Sequence, residues 1–148
     1  MHSKLMVGCF LGSLMAFSGQ ALANEVIGGD LAFFCKTTNN KEIFVRQLGN
    51  TVVYSFGKPG AKPDIVLQRR FDQLPERFWT GVGSSISSYL VIPNGDYSYV
   101  LGVHVNRNSE EHEASFNLPV EKSGTEIATL QCDPKFVFDN RANVNLPW

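Results

Sequence analysis

Helical periodicity is almost wholly missing from this chain, which excludes a helix bundle or a βαβ architecture. Beyond Phe17 no apolar run approaches the roughly 18 residues that would mark a membrane-crossing helix. Charge is sparse and nearly balanced, with 13 basic residues against 14 acidic ones. That balance gives no electrostatic reason to expect nucleic acid or an anionic membrane surface as a partner. No HxH or HExxH spacing fixes metal ligands on one face, and no GxSxG elbow surrounds a serine. Neither a metal site nor a cofactor is expected, and serine hydrolysis has no motif behind it. Cysteine is also scarce. There are three, Cys9, Cys35 and Cys132, and only the first lies within the opening segment.

That opening segment has the layout of an export signal. Lys4 supplies a positive n-region, and Leu5 to Phe17 forms a 13-residue apolar run. Ala21-Leu22-Ala23 then offers the small-x-small pattern that signal peptidase reads. At about 1.5 Å per helical residue the run reaches roughly 20 Å, short of a bilayer core of about 30 Å. Cleavage is expected after Ala23, leaving Asn24 to Trp148, 125 residues with 12 basic and 14 acidic side chains. That length suits a single secreted domain. Met6-Val7-Gly8-Cys9 faintly resembles a lipobox, but lipidation there would leave almost no apolar segment ahead of it; Cys9 is expected to leave with the signal.

What remains alternates with period two. Leu31–Thr37, Glu42–Leu48, Thr51–Phe56, Asp64–Gln68, Ile86–Ile92, Tyr97–Val105, Glu113–Glu121 and Glu126–Cys132 all read as strands. Gly49-Asn50 and Asn94-Gly95 are hairpin signals, since these residues tolerate positive φ. Pro119 removes a ladder donor and marks an edge or a bulge. The expected fold is all-β, a single antiparallel barrel or sandwich of about eight strands.

An exported chain meets an oxidising compartment, periplasmic or extracellular, where thiols pair. Cys35 shares a face with Leu31 and Phe33, and Cys132 with Ala128 and Leu130. Both should point inward, so a disulfide would make the first and last strands neighbours.

Several residues invite a functional reading. His104 and His112 stand near Glu110, Glu111 and Glu113, residue types able to bind metal or do acid–base work. His104 falls opposite Tyr99, Leu101 and Val103, so water is its expected neighbour; His112 sits in a charged connection. A small hydrolase-like envelope enzyme built on such a His/carboxylate pair is the alternative function. The segment Arg69 to Trp79 is the best candidate contact surface, with Arg69, Arg70, Arg77 and Trp79 among residue types enriched at interface hot spots. The competing and favoured reading has Phe71, Leu74, Phe78 and Trp79 plugging one end of the barrel. The tail from Asp133 carries Phe136, Val137, Phe138 and Trp148, and is expected to pack back on the sheet.

Phe34-Cys35 followed by Asn39, the Ser-rich strand with Ser87 and Tyr89, and the closing Ala128-Thr129-Leu130-Gln131-Cys132 resemble periplasmic inhibitors of C-type lysozyme. The Ser-Gly-Ala-x-Tyr block of that family is absent; Ser84-Ser85-Ile86-Ser87-Ser88-Tyr89 matches only its composition. The resemblance implies a compact antiparallel barrel that offers a Ser- and Tyr-containing loop to an enzyme cleft. A small stapled β-scaffold that lacks catalytic spacing yet offers loops for recognition makes the expected function an exported, non-enzymatic binding protein, an inhibitor or immunity factor against a cell-wall-acting enzyme, whose partner is another envelope or secreted protein.

Overall fold

The computed structural model describes residues 28–148, so the expected signal and Cys9 lie outside it. Among the described residues nine strands make two antiparallel sheets. The first holds β1 (Asp30–Thr37), β2 (Glu42–Leu48), β3 (Thr51–Gly57), β4 (Ile65–Arg70) and β9 (Cys132–Asp139), in the order β4-β3-β2-β1-β9. The second holds β5 (Ser85–Asn94), β6 (Tyr97–Asn106), β7 (Ala114–Lys122) and β8 (Thr125–Leu130), in chain order. The sheets do not close on each other, so the architecture is a sandwich and not a barrel.

Turn chemistry sets the registers. Leu48 faces Thr51 across Gly49 and Asn50, and only Gly49 adopts positive φ. Asn94 is itself a strand residue facing Tyr97, which shifts the second turn one residue on, to Gly95-Asp96. Glycine at the first central position carries the positive φ in both hairpins. Beside Pro119 the β7–β8 register shifts between Val120 and Glu121, the bulge its missing donor favours.

Alternation then builds one core between the sheets. Phe33, Cys35, Ile43, Val45, Val52, Tyr54 and Leu67 meet Leu90, Ile92, Leu101, Val103 and Leu118, all buried. Two aromatic pairs cross the interface, Phe33–Phe116 at 4.9 Å and Tyr54–Tyr99 at 5.2 Å between ring centroids. Burial of Tyr54, reinforced by Tyr99, holds its phenol neutral well above the ordinary tyrosine range.

Cys35 and Cys132 are bonded with Cα atoms 5.6 Å apart, joining first and last strands as expected. The surroundings differ from the sequence reading in three ways. A bulge between Leu31 and Phe33 takes Leu31 out of phase with Cys35 and buries Ala32 instead. The strand expected over Glu126–Cys132 breaks at Gln131, whose carbonyl accepts from Thr38 N–H at 2.9 Å while the chain crosses between sheets. Ala128 is exposed because β8 is an edge strand with little above it. Cys132 opens a ninth strand in what was expected to be tail.

That tail does pack back. Leu146 is buried in the core, and Val144 and Trp148 pack against it. Asn140 bonds the carbonyls of Leu31 and Ala32, and Asn145 N–H donates to Gln47 Oε1. The favoured plug reading of 69–79 holds only for its first half. Phe71, in the 3-10 turn Phe71–Gln73, and Leu74 pack against the core, whereas Phe78 faces solvent.

Candidate functional site

The second sheet's outer face collects the polar side chains that the core excludes. The β5–β6 register sets Ser87 opposite His104 and Tyr89 opposite Gly102. Ser87 Oγ lies 2.7 Å from His104 Nδ1, and the imidazole meets the Tyr89 ring edge-on at 5.9 Å. Gly102 makes room for this. A Cβ there would come within 3.2 Å of both His104 Nε2 and the Asn117 carbonyl, and 3.4 Å of the Tyr89 ring. His104 is therefore on the outward face, as its alternation indicates, but half covered by protein, where water was expected.

Arg77 reaches this face from the segment after Leu74. Its guanidinium donates twice to Glu121, at 2.9 and 2.8 Å, and stands 6.0 Å from the centre of the Tyr89 ring. Val91, Val100 and Pro119 are buried although alternation turns them outward too, consistent with a segment lying over them. Arg107 pins the segment's far end: its N–H donates to the Ser84 carbonyl at 2.8 Å, and its guanidinium to Gly83 O. That same guanidinium lies 5.2 Å from the Trp79 ring. Residues 74–84 thus form a strap held at both ends, with Phe78 and Val82 left 78 % and 77 % exposed.

Of the candidates drawn from the sequence, the structure brings together Arg77, Ser87 and Tyr89 and sends the others elsewhere. Arg69 Nε donates to the Pro93 carbonyl at 2.8 Å, bridging the seam between β4 and β5. Arg70 pairs with Asp72 in solvent, and Trp79 lies against Arg107. His112 occupies an exposed turn with Nδ1 3.1 Å from the Glu110 carbonyl. Among the described residues no carboxylate pairs with either histidine, and no group of His, Cys, Asp and Glu suits a metal ion. The acid–base reading asked for a His/carboxylate pair; His104 is bonded to a serine on an open sheet face instead. Glu121, Gly102 and Arg107 escaped the sequence reading. Glycine inside a strand pattern was the available signal for one of them, since it marks a close approach.

Charge pairing makes the strap sensitive to acid. Arg77 holds the Glu121 carboxyl below its ordinary value of 4.5. A carboxyl depressed in the folded state contributes stability above its unfolded value, lost as pH falls through the folded one. Residues 74–84 should therefore become more mobile as pH falls below the ordinary carboxyl range. Glu121→Gln should produce that loosening at neutral pH, costing about 1 kcal/mol because the pair is partly solvated. Backbone NMR order parameters of the strap measure both; unchanged values in the variant would remove Arg77–Glu121 as the anchor.

Compared with known proteins, the chain matches no family model, no curated protein and no solved structure.

Proposed function

We propose that this chain is an exported, non-enzymatic binding protein, an inhibitor or immunity factor against a cell-wall-acting enzyme, working in the periplasm or outside the cell. The observation that carries this reading is the strap. Phe78 and Val82 stand exposed on a loop fixed at Arg77 and Arg107, and exposed apolar groups on a fixed loop bind without a large ordering cost. Arg77, next to Phe78 in the chain, meets Tyr89, and Tyr89 meets the His104–Ser87 pair, so polar groups stand on the face that the strap crosses. The disulfide and the secretory layout of residues 1–23 fit an oxidising compartment. No described helix is long and apolar enough to cross a membrane.

The resemblance to C-type lysozyme inhibitors names the first partner to try. Calorimetric titration of the oxidised, signal-free chain into a C-type lysozyme, with muramidase activity measured alongside, is expected to show binding and inhibition. Phe78→Ser should weaken binding by at least about tenfold while leaving Tm unchanged, as befits an exposed hot spot. Absence of binding and inhibition across lysozymes of several classes would reject the reading.

A further inference from the structure

The outer face of the second sheet has two parts. Val91, Val100 and Pro119 are buried on it, and beyond them β5, β6 and β7 turn out two short rows, Ser87–His104–Ser115 and Tyr89–Gly102–Asn117. An ordinary wet sheet face intersperses lysine, arginine and carboxylates. These two rows contain none of them. Arg77, 6.0 Å from the Tyr89 ring, is already neutralised by its two bonds to Glu121.

The side chains of these rows are also held in place. Ser87 Oγ lies 2.7 Å from His104 Nδ1, and the imidazole stands edge-on to Tyr89. Both rings close over Gly102, where an added Cβ would come within 3.2 Å of His104 Nε2 and 3.4 Å of the Tyr89 ring. Ser115 Oγ donates to the His104 carbonyl at 3.3 Å. Short or ring-bearing side chains fixed in this way have few torsions left to freeze, so a ligand meets them at little entropic cost. Bonding capacity remains. With Nδ1 engaged, His104 keeps Nε2, while the Tyr89 hydroxyl and the exposed Asn117 carboxamide bond to no described residue.

We propose that this face binds a neutral saccharide. Without a fixed charge it has nothing to match a phosphate, a carboxylate or an ammonium group, and its exposed polar groups would lose their water against an apolar surface. What it matches is a ligand rich in uncharged groups that both give and take hydrogen bonds. A pyranose ring presents hydroxyls in adjacent pairs, and the Asn117 carboxamide, with acceptor and donor side by side, suits such a pair. His104 Nε2 and the Tyr89 hydroxyl serve further hydroxyls. Three strands span about 10 Å and two residues along a strand about 7 Å, an area for one or two sugar rings. The middle strand β6 has both its ladders filled, so an extended peptide finds no backbone there to pair with, and side chains must do the recognising. The site uses neither Phe78 nor Val82, and so does not rest on the inhibitor reading.

Amide NMR of the oxidised, signal-free chain, titrated with maltose and separately with N,N′-diacetylchitobiose, tests it. At least one of the two sugars should shift Ser87, His104, Ser115 and Asn117 saturably, with a Kd in the millimolar range, as suits an open face without a cleft. Asn117→Ala, at an exposed position bonded to no described residue, should keep the wild-type Tm and bind the sugar at least about fivefold more weakly. Phe78→Ser should titrate like wild type, which separates this site from the strap. No saturable shift with either sugar would overturn the proposal. So would shifts centred on the strap or abolished by Phe78→Ser, or an Asn117→Ala chain that binds like wild type. An uncharged peptide, N-acetyl-tetraalanine amide, that shifts the same amides as strongly would give the face to a peptide and overturn it too.

Discussion

Replacing Cys35 and Cys132 together with alanine is expected to lower Tm by roughly 10–20 °C. The bridge joins residues 97 apart in sequence, and cross-linking a loop of about 100 residues removes chain entropy worth about 4.7 kcal/mol in the unfolded state. Native domains keep only about 5–15 kcal/mol, so a large share of the total is at stake. Geometry sharpens the expectation. β9 pairs only with β1, and the disulfide ties those two strands at the end where the chain crosses from β8. Without it, β9 and the core-packed Leu146 and Trp148 beyond it are held by one strand ladder and their own side chains. Thermal unfolding followed by circular dichroism measures the shift. A double variant melting within a few degrees of the oxidised wild type would show that the ladder alone suffices.

Much of this architecture is legible in the sequence because strands with one buried face advertise it. In β6, Tyr99, Leu101 and Val103 turn to the core while Ser98, Gly102 and His104 turn away, and the period alone separates the two groups. β9 hides for the opposite reason. Phe136, Val137 and Phe138 are apolar on both faces, which erases the alternation, and Pro134 beside Asp133 imitates a loop. β8 misleads at its end. Ala128, Leu130 and Cys132 keep the phase of one strand, yet Gln131 is where the chain leaves one sheet for the other.

The candidate site was legible only as a set of residue types. Arg77, Ser87 and Tyr89 stand out from their composition, but the contact that organises them joins Arg77 to a carboxylate 44 residues away. Local pattern carries no trace of so distant a pair. Phe78 shows the same limit from the other side. An aromatic between Arg77 and Trp79 reads as a barrel plug, yet the 3-10 turn and the loop after it bring Phe71 and Leu74 inward and leave Phe78 out. Where a segment has no regular period, apolar residues do not announce which way they face.

Phe33→Ala and Phe34→Ala should behave as opposites although the residues are adjacent. Phe33 is fully buried, lies 4.9 Å from Phe116 across the two sheets, and belongs to the central core. Truncating it removes apolar contact and leaves a cavity between layers, a loss of about 3–5 kcal/mol. Phe34 points to the outer face beside Phe44, where water can fill the vacated space, so its truncation should cost about 1 kcal/mol. The pair of variants tests more than burial. The bulge between Leu31 and Phe33 sets which of the two phenylalanines enters the core, and a one-residue slip would exchange their roles. Urea denaturation with the disulfide intact measures both, the midpoint falling far more for Phe33→Ala. Equal losses, or the larger loss at Phe34, would mean that β1 sits in the other phase. Cys35 would then turn away from the core together with Phe33, and the staple between first and last strands would no longer cover the interior that it closes.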